Sequence, residues 1–180
     1  SIGIALYGCT TALVSGASSA QDTTGIMALG GAGVQLLNCR VAGPARDGIA
    51  ADGVAALTIS GAAVTGAGAA GIIFGNSPAA QVSGCSVSGC DTGIGLWSSD
   101  STVISNCRAS GIASYGIIAM AMSGLRVDSV ALTACVIGLR TDGDSSSLLA
   151  VTASGCTIGV MAAARDWWLA GGAISGCDTG

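Results

Sequence analysis

The 180-residue sequence has no Lys, no Glu and no His. Its six cationic side chains are all Arg and its ten acidic ones all Asp. The long flexible charged residues that clothe exposed helices are therefore missing, which argues against a helical protein. Without His, a zinc site would have to rest on Cys alone. The one close pair, Cys85 and Cys90, has no second pair beside it, so no metal site is expected. Charged residues make up only 9% and the net charge is -4, which argues against a nucleic-acid partner. No uninterrupted apolar run reaches the length of a membrane span. Aromatic residues make up 3%, too few to spell out a long sugar-binding cleft. Ser1 opens the chain with neither Met nor a charged leader, which predicts a segment processed or excised from a longer chain.

What is abundant is Gly, at 30 residues, within a composition that is 51% hydrophobic. Gly followed by an aliphatic residue recurs at Gly3, Gly25, Gly48, Gly71, Gly93, Gly116, Gly138 and Gly159, at intervals of 21 to 23 residues. Ser-Gly-Cys-Asp-Thr-Gly occurs twice, at 88–93 and 175–180. A fixed period of this size predicts a solenoid. Short alternations bounded by Gly, Ser, Asn and Asp predict strands and turns as its units. Ile4, Ile26, Ile49, Ile72, Ile94 and Ile117 form the most uniform column and are assigned to the core. A second inward column runs through Val14, Leu36, Ile59, Val82, Ile104 and Val127. The step Gly is read as a bend with positive φ. The column of Asn38, Gly84 and Asn106 is read as a stacked left-handed turn. Eight coils of two or three short strands, 4.8 Å apart, would make a rod roughly 38 Å long. Residues 1–180 are expected to form one domain.

The eight cysteines follow the repeat, with Cys85 and Cys107 in one column and Cys90, Cys135, Cys156 and Cys177 in another. Stacked side chains point the same way, so mostly free, buried thiols are expected rather than a disulfide framework.

Val-Ile-Ser-Asn-Cys-Arg-Ala-Ser at 103–110, Tyr-Gly-Ile-Ile at 115–118, Val-Ser-Gly-Cys-Ser-Val-Ser-Gly at 82–89 and Gly-Ile-Gly-Leu at 93–96 resemble the repeats of right-handed parallel β-helices of the pectate-lyase-like superfamily. The resemblance covers nearly the whole chain and implies an all-β, right-handed parallel β-helix. It also implies an extracellular, cell-surface or virion location and a role on polysaccharide, either as a lyase, hydrolase or epimerase or as part of a tailspike. Tailspike-like members form parallel trimers, so the resemblance implies a homo-oligomer. An N-terminal capping helix, usual in the family, is not found.

Candidate chemistry lies on the bend after the first strand of each coil, with Asp52, Asn76, Asp100, Asp142, Asp144 and Asp166. Asp144 and Asp166 in adjacent coils would stand about 5 Å apart, near a retaining-glycosidase separation. Asp52 and Asp100, two coils apart, would be nearer an inverting pair. The competing reading is that these carboxylates cap backbone N–H groups in the bends. The family's hydrolase motif, clustered Asp with a His, has no match here. A lyase would want an Arg base and carboxylates for Ca²⁺. Arg140 and Asp142 could stand together, but Ile118, Met120, Met161 and Ala163 around them make a poor Ca²⁺ nest. An ion pair, local or between chains, is the alternative. No other cofactor is expected.

The outward face of the first strand is largely apolar, with Tyr7, Met27, Leu29, Ile73, Trp97, Ile118, Met120 and Met161. Such a patch marks an interface, and Trp97 and Trp168 could instead stack on sugars. Three classes stand open. One is a structural or glycan-facing fibre module of an oligomer. The second is a fragment of an enzyme acting on an acidic polysaccharide, though this segment alone is not expected to be a competent enzyme. The third is a surface-binding solenoid, for example of ice, for which the scattered Thr residues are ill suited.

Overall fold

The structure, a computed structural model, describes residues 1–163 and 165–180. It is a right-handed β-solenoid of about eight coils, with no helix among the described residues. Each coil contributes three strands, and every strand pair between coils is parallel. Three faces result. The first face carries Ile2–Thr10, Thr24–Ala32, Asp47–Ala55, Ala70–Gly75, Thr92–Trp97 and Ile158–Ala162. The second face is an eight-stranded sheet from Leu13–Ser15 to Trp168–Ala170. The third runs from Ser18–Ala20 to Ala173–Ser175. In coils six and seven, Arg108–Met120 and Ala131–Thr141 pass from the third face to the first without a break.

The registers put the Gly-aliphatic steps in one column. Ile4 pairs with Ile26, Ile26 with Ile49, Ile49 with Ile72, Ile72 with Ile94, Ile94 with Ile117 and Ile117 with Leu139. From Ile26 to Leu139 these side chains are fully buried. With Leu36, Ile59, Val82 and Ile104 from the second face and Val41, Val64 and Val87 from the third, they fill one continuous core.

The step glycines do a different job from the one expected. None has a positive φ. A Cβ on Gly25, Gly48 or Gly71 would instead collide with Val41, Val64 or Val87, which project from the third face. The column is Gly because the corner between third and first faces has no room for a side chain.

The left-handed bends lie elsewhere, in four further columns. One is the column expected from Asn38, Gly84 and Asn106, whose φ values are 53°, 61° and 53°. Another includes Ala56, Ala79, Ser101, Ser145 and Asp166, with φ between 50° and 58°. In the Ala56 and Ala79 bends the N–H of the left-handed residue donates to a carbonyl of the next coil, to Pro78 and Asp100, at 2.9 and 2.8 Å. That bond offsets the cost of a non-Gly residue in this region.

All eight thiols are free, six of them buried. Cys135, Cys156 and Cys177 occupy one column in consecutive coils, as do Cys85 and Cys107 in another. Each of these Sγ atoms donates to the carbonyl two residues earlier, as from Cys107 to Ser105 at 3.2 Å. Burial, with the neighbouring Cys156, pushes the Cys135 thiol up to about 11. The Cys107 thiol and burial likewise push Cys85 up. Two fully buried hydroxyls, Ser77 and Ser99, form a polar rung inside the core. The Ser77 amide donates to Ser99 Oγ at 3.1 Å, and Ser77 Oγ accepts from Val54 N at 3.1 Å.

Candidate functional site

On the first face the strand period sends alternate residues outward. One outward column reads Tyr7, Leu29, Asp52, Gly75, Trp97 and Met120 in successive coils. At its centre Gly75 is in register with Asp52 on one side and Trp97 on the other. A Cβ on Gly75 would fall within the Trp97 indole, so the ring lies over the bare backbone of Gly75. Trp97 stays 39% exposed, enough to offer one face of the ring to a ligand. Beside it, Asn76 Nδ2 donates to Asp52 Oδ1 at 2.8 Å, which orients both groups at the rim. A concavity of about 200 Å³ follows, lined by Met27, Leu29, Arg46, Asp52, Ile73 and Trp97 among others. Arg46 Nε meets Asp47 Oδ2 at 3.2 Å on the far edge.

A wider concavity, about 430 Å³, lies on the third face between Ser18, Arg40, Ala63 and Thr65. Small side chains leave the sheet bare there, and it gathers one cation and no aromatic ring.

The candidate carboxylates do not converge. Asp144 does not stack on Asp166. The interval between these coils is 21 residues, so Asp144 stands opposite Arg165, whose amide donates to its Oδ1 at 3.2 Å. Asp166 falls opposite Ser145 in the column of left-handed bends. Asp100 accepts from Ser123 N at 2.7 Å and belongs to a bend column with Pro78, not to the strand column of Asp52. Arg140 and Asp142 do not pair either. Arg140 Nη1 donates to Tyr115 Oη at 3.3 Å, with its guanidinium 5.9 Å from the ring centroid, and Asp142 Oδ1 accepts from Ala121 N at 2.9 Å. Asp100, Asp142 and Asp144 thus each cap a backbone amide of a neighbouring coil. Among the described residues no three carboxylates or thiols form a cluster able to hold a metal ion.

Ile118 and Met161 flank Arg140 in register, half-buried, and Met120 is exposed beyond them. Tyr7, in the first coil, is 62% exposed. Trp168 lies on the second face, away from Trp97. Sequence reasoning missed Arg46 and Tyr115 as partners. Their signal was present, since both immediately precede or adjoin a Gly-aliphatic step where the first face begins.

Comparison with known proteins bears on the fold. The family model described as right-handed β-helix region matches residues 24–164. The periplasmic alginate epimerase AlgG superposes with a TM-score of 0.76 at 11% identity, over 92% of this chain and 49% of that one. A polygalacturonase from Erwinia carotovora ssp. carotovora gives 0.50 at 11% identity, over 84% of this chain and 60% of that one. The chain therefore spans about half to three fifths of the length of these two structures. No curated protein sequence matches it. With the stacked Ile column, the parallel registers throughout and a family match across most of its length, the chain belongs to the right-handed β-helix family.

Proposed function

We propose that this chain is a glycan-facing β-helix module of an extracellular, tailspike-like oligomeric assembly, with a polysaccharide lying across the first face of coils two to five. The observation that carries this reading is the Trp97 indole laid flat on Gly75 beside the Asp52–Asn76 pair. An exposed ring face supplies apolar contact for a sugar, and the carboxylate and amide supply acceptors and a donor for its hydroxyls. The likeness in fold to a periplasmic alginate epimerase and a polygalacturonase supports a polysaccharide ligand and a location outside the cytoplasm. The far half of the same face, with Ile118, Met120 and Met161, supports self-association. A hydrolytic or lyase role is less well supported, because Asp100, Asp142 and Asp144 already cap backbone amides.

The test is titration of the chain with a panel of oligosaccharides, by calorimetry and Trp fluorescence. Trp97→Ala should weaken binding at least about tenfold, or about 1.4 kcal/mol, with an unchanged melting temperature. Failure of the parent chain to bind any glycan, or full binding by Trp97→Ala, would overturn the reading.

A further inference from the structure

The charges of this chain are sorted by face. Of its ten aspartates, all but Asp128 lie on the first face or on the two bends that border it. Of its six arginines, only Arg46, Arg140 and Arg165 do. The first face and its borders thus hold nine aspartates against three arginines, an excess of six negative charges. Arg40 and Arg108 stand on the third face and Arg126 on the second.

Two of the three cations beside the first face are also engaged. Arg46 is paired with Asp47 at 3.2 Å, and Arg140 is turned onto Tyr115. Among the described residues, the only guanidinium that lines the Trp97 concavity is that of Arg46, whose charge is offset by Asp47. A polyuronate carries one carboxylate on every sugar. Laid along this face, it would meet like charge on both borders, offset at the concavity only by an Arg46 that Asp47 already holds.

We infer that the polysaccharide taken by the first face is uncharged, held by the Trp97 ring and by hydroxyl hydrogen bonds to Asp52 and Asn76. This rests on the reading of the first face as a glycan site and specifies the ligand's class. The acids on the borders then act by exclusion. They need not touch the ligand, since like charges set against a wrong partner discriminate as well as added contacts do.

The experiment compares neutral gluco- and galacto-hexasaccharides with hexagalacturonate and a hexameric aminosugar, by calorimetry on the intact chain. At low salt a neutral hexamer should bind, and hexagalacturonate should be weaker by about tenfold or more. Raising NaCl toward 1 M, where the screening length falls to about 3 Å, should strengthen uronate binding and leave the neutral ligand unmoved. Asp91→Asn with Asp100→Asn should narrow the gap in the same direction. Neither residue lines the Trp97 concavity, and Asn keeps the oxygen that accepts from Ser114 or Ser123. Tighter binding of the uronate, with or without Ca²⁺, or of the aminosugar, would overturn neutrality while leaving a glycan site in place. No binding of any hexamer would overturn the glycan reading itself, and this inference with it.

Discussion

The isopropyl group of Val64 occupies the space that a side chain on Gly48 would need. The two residues lie on different faces of the same coil and meet at the corner where third and first faces join. The same relationship links Val41 to Gly25 and Val87 to Gly71. The obligatory Gly is therefore a packing requirement. Gly48→Ala should cost about 1–3 kcal/mol through overpacking, seen as a lowered urea midpoint. Combining it with Val64→Ala should recover part of that loss, since the second change removes the Val64 methyls and leaves only the Gly71 carbonyl in the way. Additive losses would contradict the steric account.

The left-handed Ala residues make the opposite prediction. Ala56, Ala79 and Ala150 hold φ of 50°, 58° and 48°. Replacing any of them by Gly relieves a strain of about 1–2 kcal/mol against an entropic cost of about 0.5–1 kcal/mol. Each substitution should raise the melting temperature slightly, and the Ala150 gain should add to that of Ala56, since the two sit in different bend columns several coils apart.

Gly75→Ala tests the Trp97 platform without touching the ring. A methyl group there must displace the indole, so affinity for a bound glycan should fall about as far as in Trp97→Ala. Near-ultraviolet circular dichroism should report the displaced ring while the far-ultraviolet spectrum is unchanged.

The buried thiols predict an alkaline limit to stability. Cys135 is raised from an ordinary 9.0 to about 11 by burial and by Cys156. In the unfolded chain the thiol loses its proton near 9, while the folded chain keeps it. Its stabilising contribution is therefore complete below pH 9 and declines as pH rises toward 11. Urea midpoints measured from pH 8 to 11 should fall, and Cys135→Ala should show a shallower fall from a lower start.

Self-association through the far half of the first face is checked by light scattering. Ile118→Asp should shift the mass toward the monomer and leave glycan binding at Trp97 intact. A monodisperse monomer at high concentration in the parent chain would remove this element of the proposed assembly.

Much of the fold was legible because a solenoid writes its period directly into the chain. The Ile column and the parity of its neighbours fixed which side of the first strand is buried. The Asn38–Asn106 bend announced itself through residues that tolerate positive φ. The Ala56 and Ala79 bends did not, because their conformation is imposed by a hydrogen bond to the next coil rather than by residue type. The step Gly was misread because a need for space and a need for positive φ select the same residue. Asp144 and Asp166 looked like partners because a one-residue shortening of the coil, from 22 to 21, moves every bend contact by one position. Arg46 and Tyr115 do not repeat, so their place beside a Gly-aliphatic step marks where they sit, and the folded chain shows what they touch.

The Ala56 amide bonds to Pro78 and the Ala79 amide to Asp100, and the same short reach governs every bend and strand of the rod. No coil depends on a distant part of the chain. Order can therefore spread from any coil to its neighbour, one turn at a time. Adding a coil would lengthen the rod by about 4.8 Å without lengthening the search each coil makes for its partner. The molecule behaves as a zipper wound on itself, whose rate of closure is set by its first turn and not by its total length.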